Sequence, residues 1–377
     1  MSSTSEDDVY RKLQVYLDSL PINYPETKSG VELKILKHLF TPREAEIALN
    51  LKLIPQEPRA MFRHFKKQGW TLEQFSKALL TLAKKGAINW LKKRDGTNLY
   101  SIAFLIVGFF DYQIDRVTKE FGQDFDQYLD EGFMSAMIEN GILQLRTIPV
   151  EKSIDIGYNV SNFDEIKTII ENVDKTLFLS PCICRQSKEA QEKGCDHPKE
   201  TCITIGVTPR IFLEQGREIT KDEALEVLRM TQDKGMVVCP SNAQKPFMIC
   251  SCCGCSCLML NNLKKYANPV QYINSNYFVG IDENLCSGCA ECVTRCHMDA
   301  NKINERGVSE TDLGYCIGCG VCVPTCPENA RSLKKKEEES IPPKNFTELY
   351  QSITKRKNAL QEKRKVDKNY GKIHRIK

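Results

Sequence analysis

A chain of 377 residues and 43.0 kDa, 41% apolar and 27% charged, has material for two or three buried cores, which excludes a disordered tail protein. Lysine plus arginine number 53 against 49 acidic residues, a formal charge of +4, so no dominating overall field selects the partner class. The 18 cysteines all fall between Cys182 and Cys326; we expect no secretory leader before the polar, acidic start Met1 to Asp8, so disulfides are a weaker explanation than metal or cluster ligation in a cytoplasmic protein.

The near-neutral sum hides three zones. Residues 31–103 carry +8, residues 104–330 carry −11 and residues 331–377 carry +9, the pattern of parts with different partners. After an N-terminal extension, 1–30, the first zone reads as helices followed by a hairpin. Thr41-Pro42-Arg43-Glu44 sets a hydroxyl N-cap, proline at the first helical position and a capping-box glutamate. Thr71-Leu72-Glu73-Gln74 repeats the device and opens a helix with Leu72, Phe75, Leu79, Leu82 and Ala83 on one stripe, stopped at Gly86. Ile88 to Lys93 and Asn98 to Ala103 flank Asp95-Gly96, a dipeptide favoured by primed hairpin turns. The outline resembles a winged-helix domain, which implies a nucleic-acid partner or a protein-docking role; Lys77, Lys84 and Lys85 on the helix and Lys92, Lys93 and Arg94 on the wing would meet phosphate rather than base edges.

Residues 104–270 are predicted to be helical first and α/β afterwards. Thr176 to Ser180 reads as a strand delivering Cys182 and Cys184 into a loop, with Arg185 beside them as a surface cation or a stabiliser of thiolate charge. Thr220 and Glu223 frame a helix over Lys221 to Asp233, Met236 to Cys239 reads as a strand, and Phe247 to Ile249 lead into the densest cysteine segment. The longest apolar run, Ile102 to Phe110, is nine residues, about half of the ~18 a membrane span requires. Residues 271–332 form a separate cysteine domain. Residues 333–377 read first as a solvated basic extension, although Phe346, Leu349, Ile353 and Leu360 have the partial periodicity of a helix that packs on the body or a partner.

The strongest signal is a repeat. Cys286, Cys289, Cys292 and Cys296 recur thirty positions later as Cys316, Cys319, Cys322 and Cys326, two C-x2-C-x2-C-x3-C runs. This resembles the bacterial-type ferredoxin domain with two 4Fe-4S clusters, over about Ile273 to Ser332. The resemblance implies that Cys286, Cys289, Cys292 and Cys326 hold one cluster and Cys316, Cys319, Cys322 and Cys296 the other. Gly288, Gly318 and Gly320 permit close backbone approach, and Val293, Ile317 and Val321 exclude water. Pro327 follows the second run as in that family; His297 replaces proline after the first, where it shapes a turn or tunes the neighbouring cluster.

Ten thiols remain. Cys182, Cys184, Cys195 and Cys202 form one set, Cys250, Cys252, Cys253, Cys255 and Cys257 a second, and Cys239 stands alone. Four thiolates suffice for a cubane or a closed zinc site, so one or two further clusters are expected here, with zinc, to which His197 near Cys195 would add an imidazole, as the alternative. Adjacent Cys252 and Cys253 must point to different places. Cys252-Cys253-Gly254 invites comparison with the CCG modules of heterodisulfide reductases, but the upstream cysteine is missing and the downstream pair already belongs to the repeat. The C-x-C-R element, crowded thiols and terminal ferredoxin domain look like a poorly characterised group of multi-cluster proteins of anaerobes, which implies electron transfer to a redox partner protein. No nucleotide loop or hydrolytic triad is present. The alternatives are a redox-responsive DNA-binding regulator and a cluster-dependent reductase acting at Cys250 to Cys257. Together these readings make a multidomain α+β protein.

Overall fold

A computed structural model describes residues 4–154, 160–206 and 210–373; residues 1–3 of the expected extension and 374–377 of the basic tail lie outside them. The helix Thr4–Ser19 packs Leu13 and Leu17 into the first core, and Tyr10 donates to the Phe40 carbonyl at 2.7 Å. Both threonine caps form complete capping boxes, opening the helices Pro42–Leu49 and Leu72–Lys84. Phe75, Leu79, Leu82 and Ala83 are buried on the second of these, whereas Leu72 at its first turn is exposed. The hairpin pairs β1 (Ile88–Lys92) with β2 (Asn98–Ile102). Its turn differs from the primed expectation. Lys93 N–H donates to Thr97 O at 2.9 Å and Gly96 N–H to Lys93 O at 3.0 Å, and Gly96 has φ +89° while Asp95 stays outside the positive-φ region. The result is a three-residue loop ending on a left-handed glycine, because the Asp95 carboxylate accepts Thr97 N–H at 2.9 Å and holds its own backbone at negative φ.

The middle of the chain builds a five-stranded sheet from β3 (Leu177–Pro181), β4 (Glu200–Ile205), β5 (Arg217–Ile219), β6 (Val237–Pro240) and β7 (Met248–Cys252), in the order β5-β3-β4-β7-β6. Every pairing is antiparallel, so the expected α/β character gives way to a sheet with helices laid on its faces. The loop expected around Cys182 and Cys184 is instead the start of a helix, Ile183–Ala190, with Cys182 at its N-cap position. The helix Lys221–Asp233 forms as its Thr220 cap predicts.

Alternation along the strands decides what each face carries. Ile203, Ile205, Val238 and Ile249 join a core with Leu225 and Leu228 of the helix Lys221–Asp233. Their neighbours Cys239, Cys250 and Cys252 join the core of the N-terminal helices on the opposite side. The register places Cys239 directly across from Cys250.

The cysteine repeat folds around two small antiparallel ladders, β8 (Tyr277–Ile281) with β11 (Arg331–Lys335) and β9 (Asn301–Ile303) with β10 (Ser309–Thr311). Segment 146–150 stitches it to the sheet. Ile148 N–H bonds Val238 O at 3.2 Å, Thr147 N–H bonds Asn274 O at 3.0 Å and Val150 N–H bonds Cys319 O at 2.9 Å. Beside this seam Arg146 pairs with Asp164, both side chains 3% exposed or less, and Asn276 donates to the same carboxylate at 2.8 Å. Replacing Asp164 by Ala leaves a buried guanidinium without its counter-ion; we expect a loss of about 3–5 kcal/mol, read as a lowered denaturation midpoint of the whole chain.

The basic tail is packed on the body from Leu349 to Lys357, where a solvated extension is the first expectation. The helix Phe346–Ile373 buries Leu349 and Ile353, Tyr350 stacks on Phe104 at 5.2 Å and Gln144 donates to its hydroxyl at 2.7 Å. The amphipathic stripe that looked too sparse is completed by Tyr350 and by the buried Lys357, whose ammonium caps the carbonyls of Asp18 and Leu20. No helix among the described residues is long and apolar enough to cross a membrane.

Candidate metal centres

The repeat brings its cysteines together in two groups. Cys286, Cys289, Cys292 and Cys326 line one small cavity with Ser309, Ala330 and Arg331. Cys296, Cys316, Cys319 and Cys322 lie close enough for mutual charge repulsion: burial, followed by the negative charge of its neighbours, pushes Cys319 well above the ordinary thiol range. Cys322 is pushed up to about 12 by burial, against the favourable charge of Arg331. Backbone donors face the sulfurs. Val279, Ala300, Ser309 and Ala330 N–H groups point to Cys316, Cys296, Cys286 and Cys326 at 3.3–3.4 Å.

Gly288, Gly318 and Gly320 all adopt positive φ, between 65° and 71°. The close approach they allow is to the protein itself. A Cβ on Gly318 would overlap the Tyr277 carbonyl of β8, and one on Gly320 would overlap the Ser153 side chain. Ile317 and Val321 are buried as expected.

Arg331 escaped the sequence reading because nothing local marks it. It is 4% exposed, donates to Asn301 at 2.9 Å and Thr311 at 2.8 Å, and its Nε has no hydrogen-bond partner among the described residues. Four converging thiols in each group, backbone amides aimed at their sulfurs and a buried cation with a spare donor form an environment suited to an anionic cluster. The two groups differ in exposure: Cys289 is exposed, whereas Cys316 and Cys322 are buried and Cys319 packs against the sheet cores.

The ten other thiols regroup across the two sequence sets. Cys182, Cys184, Cys202, Cys250, Cys252, Cys253 and Cys257 line one cavity beneath the sheet, with Phe110, Ile114 and Leu258 as its apolar wall. Cys239 is outside that lining but close to Cys252, where hydrogen bonding from Cys239 heads the causes that raise the Cys252 thiol. Hydrogen bonding from Cys202 and Cys252, with the charge of Arg185 adding to it, lowers Cys250 well below the usual range. Hydrogen bonding from Cys184 and then Arg185 lower Cys182 as well.

Arg185 is thus not a surface cation. It is 3% exposed, reaches Thr201 Oγ1 at 2.7 Å and the Ser251 carbonyl at 2.6 Å, and leaves its Nε without a partner among the described residues. Its place on the helix Ile183–Ala190 turns it inward. Asp111, also missed by the sequence reading, enters the same cavity from the N-terminal side; burial pushes its carboxyl up to about 7, with the negative charge of Cys250 and Cys182 adding to the shift.

Cys195, His197, Cys253 and Cys255 form a second group, which shares Cys253 with that cavity, with one ligand atom from each lying within 4.8 Å of the others. The matching pair of one-residue spacings, Cys195-x-His197 and Cys253-x-Cys255, is the signal that would have joined them. His297 stands beside them. Its Nδ1 accepts Gly254 N–H at 3.0 Å, which leaves Nε2 to donate to Gly235 O at 2.7 Å, and its ring meets that of His197 edge-on at 5.8 Å. Burial lowers both imidazoles below the ordinary histidine range. His297 therefore clamps the repeat to the Cys253–Cys255 loop.

On the N-terminal domain, Lys77, Lys84, Lys92 and Arg94 are exposed, but Lys93 is engaged by Glu57 at 2.6 Å and Lys85 by Glu44, which shrinks the charge offered to phosphate.

Residues 278–327 match the family described as the 4Fe-4S dicluster domain. A comparison with curated proteins found none that matches. The chain is accordingly an iron-sulfur protein whose cysteines serve multiple 4Fe-4S clusters, with a domain of the electron-transfer kind.

Proposed function

We propose that this protein passes electrons between a redox partner and a third iron-sulfur centre held in the thiol-lined cavity under the sheet, with the dicluster domain as the conductor. The observation that carries the reading is the convergence of Cys182, Cys184, Cys202, Cys250, Cys252 and Cys257 on one cavity around the buried Arg185. Four thiolates from this set suffice for a cubane.

Exposure gives the conductor a direction in space. Cys286, Cys289, Cys292 and Cys326 would hold the outer cluster, reached from solvent at Cys289. Cys316, Cys319, Cys322 and Cys296 would hold the inner one, and Cys319 and Cys296 pack against the same core as the cavity thiols Cys184, Cys250, Cys252 and Cys257. Bound clusters supply the one-electron carriers. This chain's residues supply the thiolates, the amides at sulfur, the apolar walls of Ile317, Val321 and Phe110, and the two buried cations Arg185 and Arg331, which offset cluster charge.

Iron and sulfide counting after anaerobic purification tests this directly. We expect about twelve irons per chain, and a fall to about eight in the Cys202→Ser, Cys250→Ser double variant, with the paramagnetic signals of the dicluster domain retained. A count of about eight in the unaltered protein would overturn the third centre.

A further inference from the structure

We infer that Cys195, His197, Cys253 and Cys255 bind a single zinc ion, separate from every iron-sulfur centre, and that this ion ties the thiol-rich loop after β7 to the loop that follows the helix Ile183–Ala190. The argument is metric. A tetrahedral Zn²⁺ with Zn–S of about 2.3 Å and Zn–N of about 2.0–2.1 Å sets its sulfurs about 3.8 Å apart and its sulfur and nitrogen about 3.6 Å apart by simple trigonometry. Cys195 Sγ and Cys253 Sγ are 3.9 Å apart, and Cys255 Sγ and His197 Nδ1 are 3.6 Å apart. All four ligand atoms fall within 4.8 Å of one another, and among the described residues this is the one His, Cys, Asp or Glu group so grouped. Thiolates that bind different corners of a cubane are held apart by the body of the cluster, so a quartet this tight suits one ion in its centre.

The donor set agrees with the distances. Three sulfurs and one imidazole make a closed structural site, with no position left for substrate. Ser256 Oγ lies 3.2 Å from Cys195 Sγ as an outer donor. The loop geometry gives the ion its purpose. Cys252 ends β7 and, like Cys253, lines the cavity, while beyond them Gly254 N–H meets His297 of the first cysteine run and Cys255 reaches His197. A Cβ on Gly254 would stand 2.7 Å from the His297 carbonyl, so the loop lies flat against the repeat, and the zinc fixes the shape of the loop there by joining it to Cys195 and His197. Zinc also accounts for the neighbouring thiols Cys252 and Cys253 serving different centres.

Element analysis and zinc-edge X-ray absorption on the full, anaerobically purified chain test the site. We expect about one zinc per chain with three sulfur neighbours and one nitrogen. His197→Ala and Cys255→Ser lose most of the zinc and keep their iron; His197→Cys retains zinc in a four-sulfur shell, which shows that the position faces the ion and that a variant there still folds. An unaltered protein without zinc, or one with about sixteen irons that loses about four in Cys255→Ser, overturns the proposal. Because zinc is counted apart from iron, an iron count of eight would sink the third cluster and leave this result intact.

Discussion

Arg185→Met is expected to reduce the iron content from about twelve to about eight per chain, emptying the cavity under the sheet while the dicluster signals persist. Methionine fills a similar volume but brings no charge and no donors, so the Ser251 carbonyl and Thr201 hydroxyl lose their partner and the thiolates lose the cation that favours their ionisation. Breaking a buried charge interaction by removing one partner costs about 3–5 kcal/mol. Arg185→Lys keeps the charge without the fork and recovers part of the iron, because a single ammonium on a flexible stem satisfies fewer of the same acceptors. Full iron in Arg185→Met would show that the guanidinium only props up the sheet.

Gly318→Ala is the second change with a large expected effect: loss of the inner cluster, seen as about four fewer irons and disappearance of the magnetic coupling between the two dicluster signals. Two costs add. At φ +65° an L-residue pays about 1–2 kcal/mol, and the new methyl overlaps the carbonyl of Tyr277 in β8, a backbone atom with no freedom to swing away. Gly307→Ala separates the two. It has φ +73° but nothing within 4 Å of its would-be Cβ, so it bears the dihedral cost alone and is expected to keep its iron. Equal behaviour of the two variants would show that the close approach at Gly318 is unimportant.

Local chemistry made much of this protein legible. The threonine caps, the hairpin and the helix after Thr220 were each marked by residues a few positions apart, and the hydrogen bonds that form them are equally local; the strand before Cys182 was marked as locally, although its ladders run to residues 200–205 and 217–219. The hairpin turn was misjudged by one residue, since Asp95 competes for its own backbone. The tail was misjudged because its buried face depends on Phe104, Asn140 and Gln144, more than two hundred residues away. Arg185 read as a surface cation because its sequence neighbours say nothing about Ser251 or Met236, which close over it.

Spacing within the repeat was enough by itself to identify two cluster-binding runs, because a loop that wraps a metal cluster carries its ligands at fixed short intervals. How the other ten thiols divide was beyond its reach. Antiparallel pairing of β6 with β7 sets Cys239 opposite Cys250, alternation along β7 sends Cys250 and Cys252 to the cavity, and the turn after β7 carries Cys253 and Cys255 to Cys195 and His197. Ligands brought from separate strands are chosen by register and by which face of the sheet is buried, and both belong to the folded chain as a whole.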